Sequence, residues 1–194
     1  QRLIGQYHQR GDGAKIQIAL APCSPFSVTQ EIMRQSAGLA EELDVRLHTH
    51  LAETLDEEDF CLQRFGLRTV DYLDSVGWLG PRTWLAHGIH FNQVEIHRLG
   101  AAGVGICHCP SSNMRLASGI CHTLELEDKG AIIGLGVDGS ASNDASNMML
   151  EARQALFIQR LRYGAEKITP QKVLGWATRG SARLLGRSDI GELA

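Results

Sequence analysis

The chain has 194 residues, of which 43% are hydrophobic, and its formal net charge at pH 7 is −3. This composition is typical of a globular protein with enough apolar material for a core, and the near-neutral charge argues against a nucleic acid or a membrane surface as a partner. No apolar run reaches the roughly 18 residues of a membrane span, and an odd number of cysteines, 5, argues against a disulfide framework and favours the cytoplasm.

Short apolar segments alternate with amphipathic segments along the whole chain. The apolar ones are predicted to be strands, at 15–23, 45–52, 83–90, 103–109 and 131–138. The amphipathic ones have helical periodicity and are predicted to be helices, at 28–43, 56–65, 69–76, 92–101, 122–129, 145–163 and 169–185. Thr29 and Thr169 are expected to cap two of these helices, and 111–119 is expected to be a loop. The alternation predicts an α/β fold with a parallel sheet, either doubly wound and open or an arc of a (β/α)8 barrel.

Polar side chains cluster where the predicted strands end. His50 and Glu53 close the second strand, and His87 and His90 close the third. His108 and Asn113 come at the end of the fourth strand, and Asp138 and Ser140 close the fifth. Because the carboxyl ends of parallel strands share one edge, and ligand sites of both architectures lie there, these residues are expected to meet. A buried ionisable group costs free energy unless it is paired or ligated, so the repeated pattern indicates a functional site.

The H-L-A-E motif at 50–53 is the sharpest local signal. His50 can bind a metal ion through one ring nitrogen, and Glu53 lies in the following loop, where it can reach a substrate without being a ligand. The pattern H-x-x-E is short and common, so taken alone it favours the alternative of a core histidine and a solvated glutamate. His48 alternates with His50 and should face the same way, whereas Thr49 should face the helices.

His87 and Asp138 carry the other two signals. The His87 imidazole can polarise a substrate or orient a water molecule, or it can be a structural histidine bonded to backbone carbonyls. Asp138 opens a loop rich in Gly, Ser and Asn, where a carboxylate can ligate a metal and accept a proton, or simply cap a turn. Asp144 is expected to cap the following helix. A metal clip formed by Cys107 and Cys109 is less favoured, since no second Cys/His pair follows at zinc-finger spacing.

Taken together, the motifs resemble those of the amidohydrolase superfamily and occur in its order. They are H-L-A-E at 50–53, A-H-G-I-H at 86–90, H-C-P-S-S-N at 108–113 and G-V-D-G-S-A-S-N at 136–143. Within the superfamily, five segments of the chain are similar in sequence to the purine and triazine aminohydrolase branch, and to the 8-oxoguanine deaminases in particular. These segments are 20–27, 50–57, 116–121, 134–147 and 176–182. The ordered set covers nearly the whole chain and is far more specific than any one motif.

The resemblance implies a (β/α)8 barrel that holds one divalent metal ion, usually zinc, with iron as a second option. It implies that His50 and Asp138 are metal ligands, that Glu53 is the proton shuttle, and that His87 contacts the attacking water or the tetrahedral centre. Asp138 would also accept the proton of that water. The implied reaction is the hydrolytic deamination of a purine-type ring, best matched by 8-oxoguanine, which would give urate and ammonia.

One departure from the family pattern bears on what this chain can do alone. The family takes two further ligands from an H-x-H on its first barrel strand, whereas the H-x-H here, at 48–50, occupies the place of the fifth strand. The strands would then be strands four to eight, with a partial barrel over 1–187 and the start of a return to a truncated β-sandwich domain over 188–194. We therefore expect a fragment with weak metal binding, doubtful activity and exposed edge strands.

Several interpretations of the function stay open. The same chemistry could act on guanine, cytosine, a hydroxytriazine or a methylthioadenosine-type nucleoside, because pocket loops rather than the fold decide the substrate. Cys23, Asn113 and Ser140 are candidate substrate-binding residues. A homo-oligomer of the full-length protein, acting on a small heterocycle, is expected. An interpretation of another class is a non-catalytic α/β fragment or partner-binding module, and bound metal would distinguish it from the enzyme.

Overall fold

A computed structural model describes residues 1–193, and over that range it contains one sheet of parallel strands. The strands are β1 (Leu47–Leu51), β2 (Thr83–His87), β3 (Gly105–His108) and β4 (Ile132–Leu135). They lie side by side in chain order, and each neighbouring pair is parallel. A doubly wound sheet reverses its strand order at a switch point, whereas a (β/α)8 barrel does not. The predicted α/β partial barrel is therefore confirmed.

The predicted first strand, at 15–23, is wrong in extent. It is reduced to one bridge between Leu20 and Leu47, in which the Leu20 N–H donates to the Arg46 carbonyl at 3.0 Å. Upstream of that bridge the backbone amides bond elsewhere, because the N–H groups of 15 and 16 donate to the Gln9 side chain and that of 18 donates to His8 Nδ1. The segment runs beside β1 without forming a continuous ladder.

The helices largely occupy the predicted segments. They are α1 (Arg2–Tyr7), α2 (Gln30–Leu43), α3 (Leu55–Phe65), α4 (Thr69–Ser75), α5 (Gln93–Ala101), α6 (Pro110–Arg115), α7 (Thr123–Asp128), α8 (Met148–Tyr163), α9 (Pro170–Gly175) and α10 (Ser181–Leu184). A π-helical turn, Trp176–Gly180, joins the last two. Thr29 and Thr169 cap α2 and α9 as predicted. Among the described residues, no helix combines the length and apolar character that crossing a membrane requires.

Two local predictions are wrong. The segment 111–119, expected to be a loop, contains most of α6, which begins at a proline whose missing N–H costs nothing in a first helical turn. Asp144 does not cap α8, because that helix begins three residues later than expected and the Asn147 side chain accepts the Met149 and Leu150 amides. Asp144 pairs with Arg115 at the surface instead.

The two faces of the sheet differ in burial. Along β1, Leu47, Thr49 and Leu51 are buried against the helices, while His48 and His50 are only half-buried on the opposite face. This alternation is the side-chain period of a strand, and it confirms that Thr49 faces the helices. The apolar core therefore lies between sheet and helices, and the other face carries the polar residues.

The described part of the C-terminal segment lies against the N-terminal segment. The Gly13 N–H donates to Asp189 at 2.7 Å, and Arg187 donates to the Ala14 carbonyl at 2.7 Å. The division into a barrel over 1–187 and a second domain beginning at 188 stays a prediction.

Candidate active site

Two histidines and one aspartate converge at the carboxyl edge of the sheet. His50 lies in β1, His87 ends β2, and Asp138 follows β4. Each offers one potential ligand atom, and these atoms lie within 4.8 Å of one another. The Asp138 carboxylate is 3.8 Å from Nε2 of His50 and 3.8 Å from Nε2 of His87. The structure therefore confirms the prediction that these three residues lie close together at one edge of the sheet.

The backbone is strained where two of these side chains leave it. His87 has φ 71° and Asp138 has φ 64°, which is the left-handed region that side chains other than glycine seldom adopt. Such strain costs on the order of 1–3 kcal/mol per residue and persists only where the surroundings enforce it. His87 ends β2 and Asp138 lies three residues after β4, so the strain is concentrated at the cluster.

The His50 ring is oriented by a backbone carbonyl. Its Nδ1 donates to the Cys23 carbonyl at 2.7 Å, so Nε2 is the nitrogen that faces Asp138. The same carbonyl also accepts the backbone N–H of His50 and the Thr49 hydroxyl. The Asp138 carboxylate raises the pKa of His50 to about 9, against the opposing effect of burial. Cys23 itself is exposed, with its thiol 3.9 Å from the ring.

The His87 ring is oriented by an amide side chain. Its Nδ1 lies 2.8 Å from Oδ1 of Asn113, and an amide oxygen can only accept, so Nδ1 carries the proton. Nε2 then faces the space between Glu53, at 3.5 Å, and Asp138. Asn113 is buried behind the ring, and its predicted contact with substrate stays a prediction.

The Asp138 carboxylate is held by two serine hydroxyls that the sequence did not single out. Ser112 donates to Oδ2 at 2.5 Å and Ser142 donates to the same oxygen at 3.1 Å. His50 first, and then Ser112, hold the pKa of Asp138 well below its usual range, so the group is an anion. Ser140, a predicted substrate contact, is exposed in the same loop.

Glu53 reaches the cluster from the loop after β1. Its carboxylate is 3.5 Å from Nε2 of His87, and its backbone N–H donates to the side chain of Glu57 at 3.1 Å. Glu57 is buried, and that burial raises its pKa to about 7. We call His50, Glu53, His87 and Asp138 the rim cluster. It combines two imidazoles, one anionic carboxylate and a second carboxylate in one space.

Three other histidines near the sheet lie outside the rim cluster. His48 shares a face with His50 as predicted, but its ring stacks on Trp84 with centroids 4.7 Å apart. His90 bonds to the Ser118 carbonyl in the following loop. His108 is fully enclosed, and burial lowers its pKa to about 3, so it is neutral.

His108 belongs to a separate buried network. Its Nε2 lies 3.1 Å from Nε2 of Gln159, which also donates to the Cys121 carbonyl at 3.2 Å. The Gln159 oxygen accepts from the Thr123 hydroxyl at 2.8 Å. We call His108, Gln159, Thr123 and Cys121 the His108 layer. It contains no carboxylate.

The cysteines take no part in a metal-type cluster. All five are free thiols within residues 1–193. Over the same range, the one group of three or more His, Cys, Asp or Glu side chains with metal-ligand spacing is His50, His87 and Asp138. The geometry does not support the alternative of a clip formed by Cys107 and Cys109.

Comparison with known proteins gives consistent matches over the full chain. Residues 1–194 match the amidohydrolase family. The chain is 85% identical over 194 residues to the 8-oxoguanine deaminase of Pseudomonas aeruginosa, covering 100% of this chain and 43% of that protein. It is 34% identical over 210 residues to an isoxanthopterin deaminase from an unknown prokaryotic organism, covering 100% of this chain and 44% of that protein.

Solved structures match equally well in shape. The atrazine chlorohydrolase of Arthrobacter aurescens complexed with zinc superposes with a TM-score of 0.93 at 36% identity, over 98% of this chain and 42% of that chain. An adenosine deaminase from Xanthomonas campestris with bound zinc superposes with a TM-score of 0.92 at 33% identity, over 98% of this chain and 43% of that chain. The chain therefore spans less than half the length of these relatives.

Proposed function

The chain belongs to the amidohydrolase family, and we propose that the protein containing it removes an amino group from a purine-type ring by hydrolysis. The specific substrate is 8-oxoguanine, and the products are urate and ammonia. The observation that carries this proposal is the rim cluster, in which His50, His87 and Asp138 bring their ligand atoms within 4.8 Å of one another. The 85% identity to an 8-oxoguanine deaminase supports the choice of ring.

The donor set of the rim cluster fits a divalent cation. Imidazole nitrogen and carboxylate oxygen are ligands that zinc prefers, with iron as the second option. His50 and Asp138 would hold the ion, and both have the orienting partners that ligands require, in the Cys23 carbonyl and the serine hydroxyls. A bound cation supplies a Lewis acid that lowers the pKa of water toward about 7.

The remaining chemistry falls to the side chains themselves. Asp138 is an anion and can accept the proton of the attacking water. His87, with Nδ1 committed to Asn113, presents Nε2 to the attacking water or the tetrahedral centre. Glu53, at 3.5 Å from that nitrogen, can deliver a proton to the ring nitrogen beside the amino-bearing carbon. Water adds to the carbon, and Asp138 passes the proton that it accepted to the amino nitrogen. The bond from the carbon to that nitrogen then breaks, ammonia leaves, and the hydroxyl proton on the carbon returns to Glu53.

A second candidate keeps the chemistry and changes the ring. Guanine, cytosine, a hydroxytriazine or a methylthioadenosine-type nucleoside would then be the substrate. Relatives named as a 5-methylthioadenosine/S-adenosylhomocysteine deaminase, at 39% identity, and as a hydroxydechloroatrazine ethylaminohydrolase, at 37%, favour this candidate. Their identity is far below that of the 8-oxoguanine deaminase, so we rank them second.

The setting of the reaction is also proposed. The substrate is a free small heterocycle, with no nucleic acid or membrane as partner. The protein works in the cytoplasm, where five free thiols stay reduced, and it forms a homo-oligomer.

An assay of ammonia release tests the proposed function. It uses a protein that contains this chain together with the remaining length of its relatives, and offers 8-oxoguanine, guanine, cytosine, a hydroxytriazine and methylthioadenosine in parallel. We expect the highest kcat/KM with 8-oxoguanine and the appearance of urate. Glu53→Gln, which cannot shuttle a proton, should lose activity while retaining metal. Metal-loaded protein that releases ammonia from none of the five would contradict the proposal and favour a non-catalytic module.

A further inference from the structure

Two helices of this chain begin with the same capping chemistry and use it differently. At the start of α5, the Glu95 N–H donates to the Asn92 side chain at 2.9 Å, and the Asn92 N–H donates to the Glu95 carboxylate at 2.8 Å. This reciprocal pair is a capping box, in which the glutamate returns to the amide of the cap residue. At the start of α3, Thr54 caps the Glu57 amide at 3.3 Å, as the same motif requires.

Glu57 does not complete the box in the usual way. Its Oε2 accepts the N–H of Glu53 at 3.1 Å, one residue before the cap. The residue is 2% exposed, and its Oε1 has no hydrogen-bond partner within residues 1–193. Burying a carboxylate with one oxygen unpaired costs free energy that an ordinary capping box avoids. The stability of α3 alone therefore does not explain why the Glu57 carboxylate is buried in this arrangement.

The backbone on the other side of Glu53 is held as well. Ala52 has φ 53°, and its carbonyl accepts the N–H groups of Ile89 at 2.9 Å and His90 at 3.0 Å, from the loop after β2. Glu53 thus lies between a carbonyl fixed by one loop and its own amide fixed by Glu57. Its side chain is 25% exposed and ends 3.5 Å from Nε2 of His87.

We propose that Glu57 is a positioning residue, which fixes the backbone of Glu53 and so sets the reach of the Glu53 carboxylate in the rim cluster. The proposal rests on the proposed function, because it takes Glu53 as the proton shuttle. A glutamate side chain turns about several bonds, and a misplacement of about 1 Å can cost about 100-fold in rate. Anchoring its backbone removes one source of that misplacement.

Three substitutions separate positioning from helix stability. Glu57→Leu has a similar size but cannot accept the Glu53 amide. Glu57→Gln can accept it through Oε1, and its NH2 group takes the place of the oxygen that lacks a partner. Thr54→Ala removes the helix cap and leaves the Glu57 acceptor in place. All are made in the metal-loaded protein that contains this chain and the rest of its relatives' length.

Steady-state kinetics should divide these variants. We expect Glu57→Leu to lower kcat roughly 10- to 100-fold while KM changes less than about threefold. Glu57→Gln should restore most of the rate. Thr54→Ala should lower Tm and leave kcat within about threefold of the parent, because a lost cap costs about 1 kcal/mol of stability and moves no catalytic group.

Hydrogen–deuterium exchange at the Glu53 amide gives a readout that does not depend on activity. Exchange at this amide should be slow in the parent and in Thr54→Ala, and fast in Glu57→Leu. Should Glu57→Leu fail to fold, Glu57→Asp, one methylene shorter, tests the same bond. An inactive parent would overturn the proposed function, while exchange would still test the anchoring. Full rate and slow exchange in both Leu and Asp variants, or a Thr54→Ala rate as low as that of Glu57→Leu, would overturn the positioning role.

Discussion

His87 and His108 end neighbouring strands and are equally buried, at 1% exposure each, yet they lie in opposite electrostatic environments. Nε2 of His87 faces the carboxylates of Glu53 and Asp138. Nε2 of His108 faces the amide nitrogen of Gln159. The rim cluster and the His108 layer are thus two solutions to the same problem, the burial of an imidazole at a strand end.

The difference shows that burial alone does not make a site. In the His108 layer nothing opposes desolvation, so the pKa of His108 falls to about 3 and the ring stays neutral. In the rim cluster, Asp138 raises the pKa of His50 to about 9. The negative charge that stabilises a proton on an imidazole also attracts a metal cation to the same space. The fold therefore provides for positive charge at the rim cluster and excludes it from the His108 layer.

Asp138→Asn should have the largest effect. The substitution removes the proposed anionic ligand and the proposed proton acceptor together, so we expect ammonia release to fall roughly 1,000-fold or more. Metal content, measured by elemental analysis, should fall with it. Asp144→Asn is the matched control, because Asp144 is exposed in the same segment and pairs with Arg115. If Asp144→Asn lost as much activity as Asp138→Asn, the effect would not be specific to Asp138, and the prediction would be contradicted.

Zinc titration of the isolated 194-residue chain should show weak binding, since only His50 and Asp138 of the expected protein ligands are present. His50→Asn should abolish that weak binding, because it removes one of the two expected ligands. Gln159→Leu, which changes only the His108 layer, should leave it unaltered. Isothermal titration calorimetry measures both. Tight one-to-one binding by the unaltered chain would contradict the expectation.

Two amide side chains offer a matched pair, since Asn113 orients His87 and Gln159 orients His108. Asn113→Leu should lower kcat/KM about 10- to 100-fold, as loss of an orienting partner does in metal sites. Gln159→Leu should cost about 1–3 kcal/mol of stability through unpaired polar groups, with kcat within about threefold. Denaturant unfolding measures the stability of both variants, and steady-state assays measure their activity. Equal losses of activity would mean that the two networks are not functionally distinct.

The smallest effect is a pH dependence of stability that arises from His108. Its folded pKa is about 3, below the value of 6.5 for an unperturbed histidine. As pH falls below that unperturbed value, the unfolded chain takes up a proton that the folded chain refuses. Stability therefore declines with falling pH, by about 2 kcal/mol between about pH 6.5 and about pH 5 from this group. His108→Gln should flatten that part of the profile, and an unchanged slope would contradict the assignment.

The central part of the site could be predicted from sequence. Parallel strands place their carboxyl ends on one edge, and the curvature of a barrel turns the ends of β1 and β4 towards each other, so the predicted partial barrel brings His50, His87 and Asp138 close together. The family resemblance then suggested separate roles for the three. The periodicity of the sequence predicted which face of the sheet and which edge these side chains would occupy, because both follow from the backbone.

The supporting residues could not be predicted in the same way. Ser112, Ser142 and Glu57 act through loop conformations and helix starts, where neither period nor spacing fixes the direction of a side chain. Serine is also common in loops, so two hydroxyls on one carboxylate leave no distinctive signal. The strand expected over 15–23 failed for a related reason. The N–H groups of Lys15 and Ile18 donate to the side chains of Gln9 and His8, and in the register that pairs Leu20 with Leu47 both residues lie before the start of β1.

Anomalous diffraction at the zinc edge tests the central claim most directly. The crystal would contain this chain together with the remaining length of its relatives, grown with zinc. We predict one strong peak in the rim cluster, in contact with His50 and Asp138, and none in the His108 layer. A crystal with the rim cluster empty and zinc bound elsewhere would contradict the account.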